Sequence, residues 1–341
     1  MLVSDFDFEL PPELIAQAPL ADRAGARMLV VDRAKGTFED RRFREFPSFL
    51  RPGDCLVLND SRVFPSRLFG HRVLADGTAA TGKVEVFLTK PISEDRLTWL
   101  ALVHPGRKVR TGERIVFSEE LSAEVLGRGE FGERTLRLRA ARPLDDVLEE
   151  IGHVPLPPYI DRADDAADRA RYQTVFAKDR GSVAAPTAGL HFTPEILGEC
   201  ESRGAAVARV TLHVGLGTFQ PLRAEAVEDV KLHSESFSLA PDAVATIESA
   251  SRVVAAGTTS VRTIETWAST GRTSGETDIF LYPGCSFRKT GAMLTNFHLP
   301  KSSLLMLVCA FGGTELVRAA YAHAVRERYR FFSYGDCMLI L

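Results

Sequence analysis

The chain has 341 residues, 45% hydrophobic and 26% charged, with a formal net charge of −3. This is globular composition with enough apolar material for a substantial core, and the length fits two domains or one large one. The charge excludes a uniformly basic nucleic-acid coat but leaves a local basic face open, because association responds to the local field.

The first stretch, MLVSDFDFELPPELIAQ, is acidic and has no basic start before a long apolar run, so it does not read as a signal peptide. DCLVLND (Asp54 to Asp60) reads as a strand introduced by the turn RPG. From Lys83 to Ala140 come short alternating runs: KVEVFLTK, LTWLALV, RIVFS, AEVLG and RTLRLRA, separated by the turn signals HPGRK and GRGEFGE. In the last run Leu136, Leu138 and Ala140 point one way and Thr135, Arg137 and Arg139 the other. Strands this closely spaced predict an antiparallel barrel or sandwich over roughly residues 66–150. DRADDAADRARY beyond it is charge-dense, a mobile loop or exposed helix.

The C-terminal part returns to strand–helix alternation. VARVTLHVG, RVVAAGTTS, TDIFLYPG and AMLTNFHLP read as strands, and VRTIETWAS as a helix. LLMLVCAF (Leu304 to Phe311) is too short to span a bilayer and reads as a buried core helix. Gly312-Gly313 stops it, Thr314 can cap ELVRAAYAHAVRERY, and FFSYGDCMLIL ends the chain in extended segments. The prediction is an α/β domain interrupted by an inserted β domain: residues 1–65, the insert at 66–150, then 151–341 with most of the candidate site.

Several segments carry chemistry. GSVAAPTAGLHFT (Gly181 to Thr193) is small and uncharged up to His191, and its GLHF reads as the end of an extended segment just before a helix that Thr193 and Pro194 can start. Ligand loop and packed turn are equally open there. His213 falls on the polar face of its strand with Arg209 and Thr211. Its companion Gly215-x-Gly217 is only a fragment of a dinucleotide fingerprint. In GTTSVRTIE a strand ends at a glycine and Thr258, Thr259 and Ser260 open a helix, an arrangement suited to a carboxylate or phosphate, or to a simple cap. Glu265 follows as a base, an ammonium ligand or a solvated charge. LTNFHLPKSS offers Asn296 and His298 for hydrogen bonds and Phe297 for stacking. Arg288, Lys289 and Lys301 form a basic cluster, and RERYRFFSYGD interleaves arginines with aromatics, a combination that suits unpaired bases or an edge strand. The five cysteines are scattered, odd in number and free of C-x-x-C, which argues against disulfides and zinc and fits a reducing cytoplasm. His191, His213, His233 and His298 follow no metal-ligand spacing, so no metal is expected.

Taken in order, SDFDFELPPELIAQAPL, PGDCLVLNDSRVFPSRL, GHVPLPPYI, YQTVFAKDRGSVAAPTAGLHFT, VTLHVGLGTFQPL, GTTSVRTIE, TNFHLPKSSLLMLVCAFGG and YRFFSYGD resemble the S-adenosylmethionine:tRNA ribosyltransferase-isomerase family of queuosine biosynthesis. The resemblance spans nearly the whole chain and is weakest in the β module. It implies an α/β domain with an inserted β-barrel. It also implies S-adenosylmethionine as a consumed ribosyl donor, with no further cofactor. The acceptor it implies is tRNA carrying 7-aminomethyl-7-deazaguanine at the wobble position, and the products are epoxyqueuosine, adenine and methionine.

Such chemistry needs a base, for which His191 or His213 is the first choice and His298 the third. Thr258, Thr259 and Ser260 would hold the methionine carboxylate. Asp60, Glu265 and Asp336 would hold the amine or ribose hydroxyls. Ser182, Thr187, Asn296 and Phe297 would line the donor site. Arg62, Arg67, Arg288, Lys289, Lys301 and Arg330 would meet tRNA. Cys285 and Ser236 stand where the family pattern leads one to expect aromatics. The competing functions are an S-adenosylmethionine-dependent methyltransferase, against which the incomplete glycine loop counts, and a non-catalytic RNA-binding protein. No membrane association and no obligate protein partner is expected.

Overall fold

The structure is a computed structural model that describes residues 1–74, 76–129, 132–215, 222 and 224–341. Most of the LGTFQPL segment, including Gly217, therefore lies outside the described residues. The chain divides into two compact units. The first comprises Met1–Arg62, Pro157–Ala163 and Ala170–Leu341, and the second Val63–Leu156 and Asp164–Arg169. The second unit thus begins a little before residue 66, runs past residue 150, and takes in part of the charge-dense segment.

In chain order the elements are β1 (Arg27–Asp32), β2 (Thr37–Arg42), β3 (Asp54–Asn59) and β4 (Ser61–Val63). The barrel strands follow: β5 (Arg67–Val73), β6 (Ala79–Pro91), β7 (Thr98–His104), β8 (Arg114–Val116), β9 (Leu121–Arg128) and β10 (Glu133–Ala140). Then come α1 (Leu144–Ile151), α2 (Ala166–Arg171), β11 (Asp179–Ser182), α3 (Pro194–Ser202), β12 (Ala206–Leu212) and β13 (Glu235–Leu239). The chain continues with α4 (Pro241–Ser249), β14 (Arg252–Ala256), α5 (Thr258–Thr270), β15 (Ser274–Thr277) and β16 (Thr290–Asn296). It closes with α6 (Ser303–Gly312), α7 (Thr314–Arg326) and β17 (Cys337–Ile340).

The first unit is built on a nine-stranded sheet in the order β15-β13-β12-β3-β14-β16-β17-β1-β2. β12, β3, β14 and β16 run parallel, with Cys55 opposite Ala206 on one side and Val253 on the other. Both faces are covered, so these strands read as unbroken apolar runs rather than as alternation. Cys55 and Val57 enter one core with Val253 and Ala255, beneath the apolar sides of α4, α5, α6 and α7. Leu56 and Leu58 enter the opposite core with Val254 and Ala256, against Ile196 and Cys200 of α3 and Phe43 and Phe46. α6 is apolar all round because it is buried. No single helix among the described residues is long and apolar enough to cross a membrane.

The second unit is a closed six-stranded antiparallel barrel, β10-β7-β6-β5-β8-β9. Alternation places Val84, Val86, Leu88, Trp99, Ala101, Leu136 and Leu138 in buried positions.

Three local expectations are corrected. TDIFLYPG is not a strand beyond Thr277. Ile279, Phe280 and Tyr282 instead lie half-buried over the first core, so packing claims them in place of a ladder. Thr187–His191 is a 3₁₀ turn rather than the end of an extended segment. The N-cap of α7 is Gly313, not Thr314, which is already helical.

Candidate functional site

A cleft of about 830 Å³, including its open mouth, lies in the first unit. It sits where β14 and β16 end, at the carboxyl edge of the parallel strands where α/β folds gather ligands. Gly257 turns β14 into α5 with φ 95° and ψ 150°, a conformation that essentially only glycine adopts. That turn brings Thr258 and Thr259 to the cleft, with Arg262 one helical turn on along the same face. The opposite wall is Ala184–Ala188, small and apolar. It is held by Ser182, whose hydroxyl donates to the Ala184 carbonyl at 2.7 Å and accepts from the Val214 amide at 2.9 Å. Asn296 ends β16 at the cleft, Phe297 and His298 follow it, and Tyr159, Tyr172, Phe332 and Ser333 complete the lining.

His298 and His191 are both buried. His298 Nε2 lies 2.7 Å from Thr295 Oγ1, and its backbone amide donates to Tyr321 Oη at 3.0 Å. Burial pushes its pKa down to about 3. His191 Nε2 lies 3.1 Å from Asn296 Oδ1. The Asn296 amide nitrogen donates to the carbonyls of Phe332 at 2.9 Å and Ser333 at 3.4 Å, so its oxygen faces His191. This network assigns the proton to His191 Nε2 and leaves Nδ1 as the acceptor. Burial pushes His191 down to about 4, with Arg23 and Arg330 pushing the same way against the Asn296 hydrogen bond. Both imidazoles are therefore neutral at neutral pH. His191 lines not the large cleft but a smaller recess of about 300 Å³, including its open mouth, with Arg23, Arg171 and Tyr334. Asn296 connects it to the large cleft.

The other candidates divide between cleft and framework. Thr187, Thr258, Thr259, Asn296 and Phe297 join His298 at the cleft. The ring of Phe297 is not free for stacking: it is fully buried, with Tyr321, Tyr329 and Phe331 at centroid distances of 5.1–5.5 Å. His213 lines neither cavity and packs on Gly181, where an added Cβ would lie 3.0 Å from the imidazole. Asp60 accepts from Thr211 Oγ1 at 2.7 Å, and burial raises its pKa against that bond. Ser260 donates to the Ala256 carbonyl at 2.8 Å and braces the turn.

Glu265 is spent on structure. Its carboxylate accepts from the backbone amides of Arg288, Lys289 and Thr290 and from Thr290 Oγ1, at 2.7–3.1 Å. Asp336 likewise accepts from the amides of Arg27 and Arg330, both at 2.8 Å, and burial raises its pKa against them.

The basic candidates have separate surroundings. Arg62 is exposed. Arg67 pairs with Glu85 at 2.7 Å within the second unit. Arg288 Nη1 donates to the Ala268 carbonyl, and Lys289 sits 5.6 Å from the Trp267 ring centroid. Lys301 pairs with Asp7 at 2.7 Å, and half-buried Arg330 donates to the Ala18 carbonyl.

Sequence reasoning passed over Arg262 and Glu235. Arg262 is only 6% exposed and forms a buried ion pair with Glu235 through Nη1. The available signal was an arginine in the buried stretch of a helix, one turn after two candidate threonines. Glu235 had none, because it opens a strand 27 residues away. Among the described residues no group of His, Cys, Asp and Glu is placed to hold a metal ion.

The arrangement provides a sheltered cleft, a helix N-terminus with an arginine, and neutral imidazoles. Comparison with known proteins is consistent along the whole chain. A family model described as Queuosine biosynthesis protein matches residues 3–340. A protein of Solibacter usitatus named S-adenosylmethionine:tRNA ribosyltransferase-isomerase is 63% identical, with all of both chains covered. One of the same name from Symbiobacterium thermophilum is 49% identical, again with all of both chains covered. The crystal structure of S-adenosylmethionine tRNA ribosyltransferase from Thermotoga maritima is 39% identical, covers 99% of this chain and 100% of its own, and superposes with a TM-score of 0.56. The chain belongs to the queuosine biosynthesis protein family.

Proposed function

We propose that this enzyme transfers and isomerises the ribosyl moiety of S-adenosylmethionine onto 7-aminomethyl-7-deazaguanine at the tRNA wobble position. The products are epoxyqueuosine in tRNA, adenine and methionine. The donor is consumed as a substrate, and the reaction belongs in the cytoplasm with its tRNA. The observation that carries the reading is full-length identity of 63% to a relative of that name, joined to a cleft formed by the family-like segments around Ala184–Ala188, Thr258–Thr259 and Asn296–His298.

The chemistry assigns work to the cleft. The sulfonium acidifies the ribose 5′ carbon, and a base takes a proton from it. The bond to adenine breaks and adenine leaves protonated. The aminomethyl nitrogen attacks the sugar and loses a proton, and rearrangement closes the epoxide while the carbon–sulfur bond breaks to release methionine. His298, neutral and lining the cleft, is the base candidate. His191 stands behind Asn296, with Nε2 3.1 Å from its side-chain oxygen. The apolar wall Ala184–Ala188 keeps water from the reactive sulfonium species.

The test is incubation with labelled donor and tRNA bearing the deazaguanine base. Adenine and methionine in equal amounts support the proposal. S-adenosylhomocysteine would instead mark a methyltransferase, and tRNA binding without donor consumption a non-catalytic RNA-binding protein.

A further inference from the structure

We infer that Arg262 is the residue that recognises the carboxylate of the donor's methionine portion, working with Thr259 and the first amides of α5, and that Glu235 positions it. This rests on the proposed transferase function and names the group that selects its donor.

The Arg262 side chain is held from two sides. Nε donates to the Ile279 carbonyl at 3.3 Å, and Nη1 donates to Glu235 Oε2. Glu235 is itself fixed, because its Oε1 accepts from the Gly215 amide at 2.7 Å. The guanidinium is thus oriented before any ligand arrives, so little rotamer freedom is lost on binding. Nη2 remains, buried and without a hydrogen-bond partner among the described residues, in a side chain that lines the cleft. Thr259 Oγ1, one turn earlier on the same helix face, is also buried and without a partner among the described residues, and it lines the same cleft.

Two unmet donors beside a helix N-terminus define the ligand group. α5 is 13 residues long and its N-cap, Gly257, has no side chain to satisfy the first amides. Those amides and the helix dipole favour negative charge. Arg262 and Glu235 cancel in charge, so an arriving carboxylate meets a neutral pair plus the positive end of α5. A planar carboxylate can accept from Nη2, from the threonine hydroxyl and from the backbone amides together. Adenine and the ribose carry no such group, which leaves the methionine carboxylate as the part of the donor that fits.

The experiment compares two donors, S-adenosylmethionine and its decarboxylated analogue, each with acceptor tRNA, in the wild-type enzyme and in Arg262→Gln and Thr259→Val. Adenine release is followed to obtain KM and kcat. Wild-type enzyme should favour the carboxylate-bearing donor in kcat/KM by about 10- to 100-fold. Arg262→Gln should raise KM for that donor by a similar factor, leave the decarboxylated donor within about threefold, and so collapse the discrimination. Thr259→Val, which does not disturb the ion pair, should lower the discrimination in the same direction by a smaller factor. Discrimination that survives both substitutions, or equal loss for both donors, overturns the assignment. Release of no adenine by the wild-type enzyme from either donor overturns the transferase reading instead.

Discussion

His191 and His298 owe their properties to burial more than to their neighbours. An unfolded imidazole titrates near 6.5, and in the native protein these fall to about 4 and about 3. Between those values the unfolded chain binds more protons than the native one. Stability is therefore full above pH 6.5 and is lost as pH falls towards 4, by an amount on the order of 3 kcal/mol for His191. Urea melts at stepped pH should show this decline, and His191→Gln should make it shallower over pH 6.5 to 4. For turnover, His298→Ala should reduce kcat by about 10²- to 10⁴-fold if it is the base. Normal turnover by a folded His298→Ala enzyme would remove it from the mechanism. Glu265 gives the opposite prediction. Because its carboxylate serves four donors on the 288–290 segment, Glu265→Gln should lower stability by about 1–3 kcal/mol while KM for the donor stays within about twofold. Thermal melts and steady-state kinetics on one preparation would separate the two effects.

At the scale of elements, the turn from β14 into α5 and the start of α6 show how far local rules reach. Gly257→Ala forces a side chain into a region open essentially to glycine and should cost about 1–3 kcal/mol. Donor affinity should fall too, because that turn positions Thr258 and Thr259. Ser302 caps α6 by accepting from the Leu305 amide at 3.2 Å, so Ser302→Ala should cost about 1 kcal/mol by denaturant melts. The glycine turn was legible because a glycine after an apolar strand is a local signal, and α6 was legible as an apolar run stopped by Gly312-Gly313, whereas its Ser302 cap emerged only from the structure. TDIFLYPG was not legible as a covering segment. Its apolar residues suit a strand equally well, and only the core beneath Ile279 and Phe280 decides between the two.

For the whole molecule, an α/β unit with an inserted β unit was expected from the change in side-chain period along the chain, which left barrel and sandwich open; the closed barrel is what the family resemblance implied. A donor that binds only the folded α/β unit stabilises it by mass action. At about 100 times its dissociation constant the gain is about 2.7 kcal/mol, or roughly 5–10 °C in Tm. Scanning calorimetry with S-adenosylmethionine should show this shift, and Arg262→Gln should diminish it at the same donor concentration.

Sequence alone determined the strand and helix periods, the N-cap of α3, the glycine stop of α6, and the segments that supply the cleft, because these depend on residues within a turn or two of one another. The tertiary structure decided which polar groups serve the site. Glu265 and Asp336 looked like candidate ligands and proved to brace backbone amides, and Phe297 proved to be core. Arg262 gained significance only when folding brought Glu235 to one side of it and the cleft to the other. A buried charge or hydrogen bond is made by partners far apart in the chain, and local pattern does not encode which distant group will meet it.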